Sequence, residues 1–306
     1  MCKKSLSKTK IFLFFENAAM RRLPNEGIFR MMILVNQIRR RGWQGQMNRW
    51  QNNNMSIKMK KFGCSAYVLK WAAAVSMLID HTAAVVVKGW VMAELADCSV
   101  QQVEAWNLLY DWMRRIGRTA FPLFAFLLVE GFCHTHSRRR YAGRLLAAAL
   151  LSEIPYDLAF SGKIDFSHQN TLFTLLLGLL LLQGYEWLGK REKLPALGKL
   201  FCHGGLLLFF GAFSWYAHTD YSYKGLILIS VFYLFRQFRM AAAIGGFCAF
   251  SWSPWSFPAF LLLAVYDGSR GKSGQRFFYL FYPLHLLFLF LILKMILGIF
   301  SFVENI

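Results

Sequence analysis

The stretch "FFYLFYPLHLLFLFLILKMILGIF", residues 277–300, holds one charged residue, Lys294, in 24 positions. A helix built from it has no solvent face, so it belongs in lipid or in a large core. "TLFTLLLGLLLLQG", residues 171–184, behaves the same way. The chain of 306 residues is 56% hydrophobic and 17% aromatic, with 30 phenylalanines, whereas soluble domains sit near 45–50% apolar. Alternation of polar and apolar residues, which a membrane β-barrel needs, is missing. The expected fold is therefore all-α, a polytopic integral membrane protein.

Apolar segments alternate with charged ones from residue 65 onward. Nine candidate spans emerge: 66–89, 117–134, 141–160, 170–187, 199–217, 224–236, 239–251, 255–267 and 277–301. Three of them are shorter than the ~20 residues that cross a bilayer unaided, so seven to nine crossings are expected, nine at best. Residues 63–306 read as one membrane domain. Residues 1–62 are polar and basic, and read as a poorly ordered extension, with Met55 or Met59 as an alternative start. The net charge of +19 is concentrated there: residues 1–70 carry fifteen Lys and Arg against Glu16 and Glu26. Such a tail is held in the cytoplasm by the positive-inside rule, and nucleic acid need not be invoked. The connections "HTHSRRRYAGR", "GKREKLPALGK", "RQFR" and "YDGSRGKSGQR" fall on the tail's side, while 90–113, "SGKIDFSHQ", "HTDYSYK" and "SWSPWS" fall on the other. This places the N-terminus on the cytoplasmic side of a cell membrane and the C-terminus on the other, with the bilayer as the first partner. The six cysteines are scattered without paired spacing, so neither a disulfide framework nor a zinc cluster is expected.

Several polar residues sit where lipid is expected. His81 follows Lys70 by eleven residues, about 16 Å along a helix, and His285 follows Arg276 by nine, about 14 Å. Two histidines from distant segments thus share a depth. An imidazole there can move a proton near neutral pH. Asp80, beside His81, points about 100° away and suits a partner such as an arginine. A second set gathers at the outer ends: Arg114, Arg115 and Arg118, then Glu153, Asp157, Asn170, Asp220 and Tyr223, a candidate vestibule for a substrate. A third, cytoplasmic set comprises Arg138, Arg139, Arg140, Arg144, Arg270, Lys272 and Arg276, which can hold phosphates as well as orient helices. "DGSRGKSG" lacks the spacing of a phosphate loop, and "HTH" at 134–136 offers too few ligands for a metal. Basic groups inside, histidines between and a polar vestibule outside suit group transfer across a membrane.

"LKWAAAVSMLIDHTA", "RRIGRTAFPLFAFLLVEGFCHTHSRRRYAGRLLAAALLSEIPYDL", "NTLFTLLLG", "DYSYKGLILI" and "FFYLFYPLHLL" occur in the order seen in the TraX family, and the resemblance covers roughly 66–300. It implies a polytopic inner-membrane protein that acetylates an acceptor such as the amino terminus of a pilin, with acetyl-coenzyme A as donor. It also implies His81 as the leading catalytic residue, Asp80 and His285 as its companions, and the cytoplasmic arginines as the seat of coenzyme A phosphates. Two other readings stay open: a non-enzymatic factor for pilus or conjugation assembly, and a proton-coupled transporter.

Overall fold

The computed structural model describes residues 63–94, 99–192, 194–272 and 275–303, without the side chains of 92–94, 275–276 and 299–303. The expected basic extension, 1–62, lies outside the described residues. Within them the chain is helical, with no strand and only two isolated bridges, Cys64–Tyr266 and Gln169–Thr219.

Helix α1 (Ala66–His81) starts at Ser65, whose hydroxyl accepts the Val68 N–H. At Thr82 it passes into a π-helical turn (Thr82–Val87), then continues as α2 (Lys88–Glu94). The Thr82 hydroxyl donates to the Leu78 carbonyl at 2.8 Å. Such π-turns add a residue to the helix and recur at functional sites; this one begins at the residue after His81.

Helix α3 (Val100–Gly117) is a correction, because 90–113 was expected to be a connection. Its charges, Glu104 and Asp111, masked two helical signals. Ser99 and Gln102 form a capping box, and Val103, Trp106, Tyr110 and Met113 recur at the spacing of one helix face. Then follow α4 (Ala120–His134), α5 (Arg138–Ser161), α6 (Thr171–Gly189), α7 (Ala196–Tyr216), α8 (Ser222–Leu234) and α9 (Arg239–Ala249). A 3₁₀ turn (Pro254–Ser256) leads into α10 (Phe257–Ala264), and α11 (Gln275–Val303) ends the described chain. All nine expected segments fall on helices. Among the described residues, however, five helices are long and apolar enough to cross a membrane: Ala66–Val91, Val100–His134, Thr171–Gly189, Ala196–Tyr216 and Phe277–Gly298. Nine crossings would need the charged α5 and three short helices as well.

Helix α4 is the centre of the packing and touches α1, α6, α8 and α10. Its Phe121, Phe126 and Phe132 are buried against Leu179, Leu226, Ile229, Phe232 and Phe260. Small residues permit the close approach: a Cβ on Gly225 would lie 2.8 Å from both Phe121 and Thr174. Gly225→Ala is therefore expected to lower the melting temperature in detergent, at a cost of about 1–3 kcal/mol from overpacking. On α7 a Cβ at Gly204 meets nothing within 4 Å, and Gly204→Ala is expected to be neutral or stabilising by up to about 1 kcal/mol.

The helices have two lengths. The His81 ring touches Phe160, in the last turn of α5, while Thr171, which opens α6, bonds to Asp220 just before α8. At the level of His81, then, α5 is ending and α6 and α8 are beginning. Beyond that level α1 and α2 continue to Glu94, about 20 Å further, and α11 continues past His285 to Val303, about 27 Å. Helix α3 runs beside them, with Trp106 against Trp90 and Gly117 against Asp80. The opposite ends gather at one face: Tyr266 Oη donates to Glu130 at 3.1 Å, Arg239 donates to the Tyr266 carbonyl at 3.0 Å, and Arg138 pairs with Glu186. This face, which also carries Arg144 and Arg270, is the basic face.

Candidate functional site

Helices α1 and α11 bring His81 and His285 together, with His81 Nδ1 2.7 Å from His285 Nε2 and the rings stacked at 5.0 Å, 8° from parallel. Both side chains are buried. His285 Nδ1 lies 2.7 Å from the Phe281 carbonyl. A carbonyl only accepts, so His285 Nδ1 carries the proton. In a neutral ring its Nε2 must then accept, and His81 Nδ1 must donate to it. The consequence falls on His81 Nε2, which is left with a free lone pair. Pro283, inside α11, removes one helical amide bond just before His285, so both helices are irregular where the rings meet.

Asp80 faces away from this pair, as its position on the helix requires. Its Oδ2 accepts from Arg114 Nη1 at 2.6 Å, which ties α1 to α3. Asp80 Oδ1 is buried and has no hydrogen-bond partner among the described residues. Gly117 leaves the room this carboxylate occupies, since a Cβ there would coincide with it. Arg118 adds a second positive charge near Asp80 and Asp220.

The expected vestibule residues divide into two groups. Asn170 caps α6 and donates to the Ala149 carbonyl at 2.9 Å and to Glu153. Asp157 accepts from the Asp165 amide at 3.0 Å, and Asp220 accepts from Thr171 and from the Tyr221 amide. Of these residues Asp220, with Arg118, lies near the Asp80–Arg114 pair. Arg115 does not join them: its guanidinium lies between the Trp112 and Trp255 rings, at 4.9 and 4.6 Å. Tyr223 is exposed beside Gly211 of α7. Tyr221 takes the inward place, because its φ of 61° turns the ring onto Phe121, 3.8 Å away and nearly parallel.

A cavity of about 440 Å³ opens at the basic face. Lys70, Arg144 and Arg270 line its mouth with Glu130 and His134, and Leu128, Leu145, Leu172 and Leu175 line its interior. Tyr282 also lines it and links it to the histidines, neither of which lines it: the Tyr282 ring lies 6.2 Å from His81 and 5.6 Å from His285, and its hydroxyl lies beside Thr171. Of the arginines expected to hold a donor, Arg144 and Arg270 are at this mouth. Arg138 is instead paired with Glu186 and lies over the Phe132 ring. Arg139 and Lys272 are exposed away from the cavity, and the Arg276 side chain lies outside the described residues. Lys70 was read only as the start of its span and Tyr282 was not singled out, although spacing could have found both. Lys70 precedes His81 by three turns on one face, and Tyr282 precedes His285 by three residues.

Known proteins resemble the same region. The model of the TraX protein family matches residues 65–293. A probable fimbrial assembly protein FimC, serogroup H1, of Dichelobacter nodosus is 29% identical over 249 residues, covering 72% of this chain and 93% of that protein. No solved structure matches. The matched stretch holds both histidines, the Asp80–Arg114 pair and every residue that lines the cavity. The chain belongs to the TraX family.

Proposed function

We propose that the protein is a membrane acetyltransferase that takes an acetyl group from acetyl-coenzyme A on the cytoplasmic side and passes it to an acceptor amine on the other side of the cell membrane. The carrying observation is the hydrogen-bond chain Phe281 carbonyl–His285–His81, which leaves Nε2 unprotonated on a ring 6.2 Å from that of Tyr282, itself a cavity-lining residue. In this reading the amine nitrogen attacks the thioester carbonyl carbon and gives its proton to His81 Nε2. The C–S bond breaks, and the departing thiolate of coenzyme A receives that proton. His285 holds His81 in the required tautomer and shares its positive charge, as the orienting member of a triad does.

The cavity fits such a donor. Its size lies within the range of small-molecule sites, ~300–1,000 Å³. Its mouth presents Lys70, Arg144 and Arg270, none of which makes an ion pair among the described residues. Phosphates would meet these cations, and the apolar interior would take the arm that carries the acetyl group. Arg270→Ala and Arg144→Ala are each expected to raise KM for acetyl-coenzyme A about tenfold, the worth of one hydrogen bond to a charged group, with kcat little changed. A fall in kcat at constant KM would remove the donor from this mouth.

The name of the Dichelobacter relative, a fimbrial assembly protein, supports a pilin subunit as acceptor. It equally favours a second reading, a non-enzymatic assembly factor. Counting assembled pili on cells that carry His81→Ala separates the two, since only the second reading expects wild-type numbers with no acetylated subunit in wild type.

A further inference from the structure

Helix α11 sets the thickness of lipid around the histidines. Its apolar stretch runs from Phe277 to Gly298, about 33 Å, and His285 lies about 12 Å from its start. The run beyond His285, "LLFLFLILKMILG", still has about 20 Å to go. It keeps Leu287, Phe288, Leu291 and Met295 exposed. Side chains of this kind, exposed together on one helix, belong in hydrocarbon rather than water. Lipid therefore extends well beyond the level of the histidine pair.

Other helices do not share that reach beyond the histidines. At the histidine level α5 ends, α6 and α8 begin, and the backbone turns through loops 162–170 and 217–221. The loops are joined, because the Gln169 amide donates to the His218 carbonyl at 3.2 Å and the Asp220 amide donates to the Gln169 carbonyl at 3.0 Å. They hold His218 and Tyr221 at positive φ, 49° and 61°, and Ser222, which opens α8, follows at 44°. They also expose Lys163, Ser167, His168 and His218. The Asp165 carboxyl accepts the Ser167 amide at 3.0 Å. Irregular backbone and charged groups are tolerated at membrane depth only when protein covers them or water reaches them.

We propose that loops 162–170 and 217–221 floor a water-filled recess, sunk into the bilayer from the face opposite the basic one, and that the acceptor amine reaches His81 through it. The long helices α1–α2, α3 and α11 wall one side and keep lipid away from the loops. Beneath the floor stand four carboxylates, Asp80, Glu153, Asp157 and Asp220, against two guanidiniums, Arg114 and Arg118. With more carboxyls than guanidiniums, the region suits an amine acceptor better than an anionic one. The identity of the visitor rests on the acetyl-transfer reading; the recess itself does not.

Single cysteines test the geometry in full-length protein whose six native cysteines are replaced by alanine. Ser167→Cys and His218→Cys probe the floor, and Leu291→Cys probes α11 about 9 Å further out. A membrane-impermeant thiol reagent is added from outside to intact cells, with membrane abundance checked for each variant. The floor cysteines are expected to react at least tenfold faster than Leu291→Cys, although they lie deeper. Equal reaction at Leu291→Cys would put the long helices in water, and silence at both floor positions would bury the loops; either result overturns the recess. Acetylation of an added amine-bearing peptide is measured on the same membranes. Labelling as expected with no acetylation by any form would defeat the acetyl-transfer reading and leave the recess standing.

Discussion

His81→Ala is expected to lower kcat for acetyl transfer by about 10³-fold, within the range that a positioned general base supplies, with membrane abundance unchanged. The reason lies in the tautomer. His81 Nδ1–H is committed to His285 Nε2 at 2.7 Å, so Nε2 is the only nitrogen of that ring that can take a proton from the acceptor. In the proposed mechanism His285 acts through His81, and its replacements should grade accordingly. Ala cannot accept from Nδ1–H and is expected to cost about 100-fold in kcat. His285→Gln offers an amide oxygen to the same proton and should stay within about tenfold of wild type. KM for the donor should be unmoved in both. If His285→Gln fell as far as His285→Ala with normal abundance, His285 would be a packing residue and the relay would be lost.

The second large effect concerns stability. Arg114→Leu removes the partner of Asp80 and strands a mostly buried carboxylate whose other oxygen already lacks a hydrogen bond. Breaking such a pair from one side costs about 2–4 kcal/mol, because the surviving charge is left desolvated. Thermal unfolding in detergent should show the loss. Adding Asp80→Asn to Arg114→Leu should recover most of it, since no unpaired charge then remains. A double variant as unstable as the single one would mean that packing of Arg114, not charge, binds α3 to α1. Gly117→Ala, whose Cβ would coincide with the Asp80 carboxylate, should resemble Arg114→Leu.

Much of the architecture was legible in the sequence because lipid imposes a simple rule: apolar segments of sufficient length must be helices. The two histidines were legible for the same reason, being polar where polarity is costly and equally far from basic helix starts. Asp80's need for an arginine followed from helix geometry, and Arg114 supplies it. What stayed hidden depended on neighbours. Counting along α1 put His81 at mid-depth, but only the contact with Phe160 and the Thr171–Asp220 bond reveal that adjacent helices stop there. Tyr223 looked like a site residue and Tyr221 did not, because a positive φ at Tyr221 decides which ring turns inward. Arg115 and Arg118 were indistinguishable as letters; two tryptophans, one of them distant in sequence, claim the first. Arg138 was one of several basic residues until Glu186 singled it out. The helical character of 100–117 was masked by acids that read as a loop, although its capping box was written in Ser99 and Gln102.

One measurement tests the proposed acetyl transfer most directly. Wild-type protein in nanodiscs is given radiolabelled acetyl-coenzyme A and a peptide with a free amino terminus, beside His81→Ala. The account expects label on the peptide amine with wild type, and about 10³-fold less with His81→Ala. No label with wild type, together with no detectable binding of coenzyme A, would contradict it and leave the assembly factor as the better description.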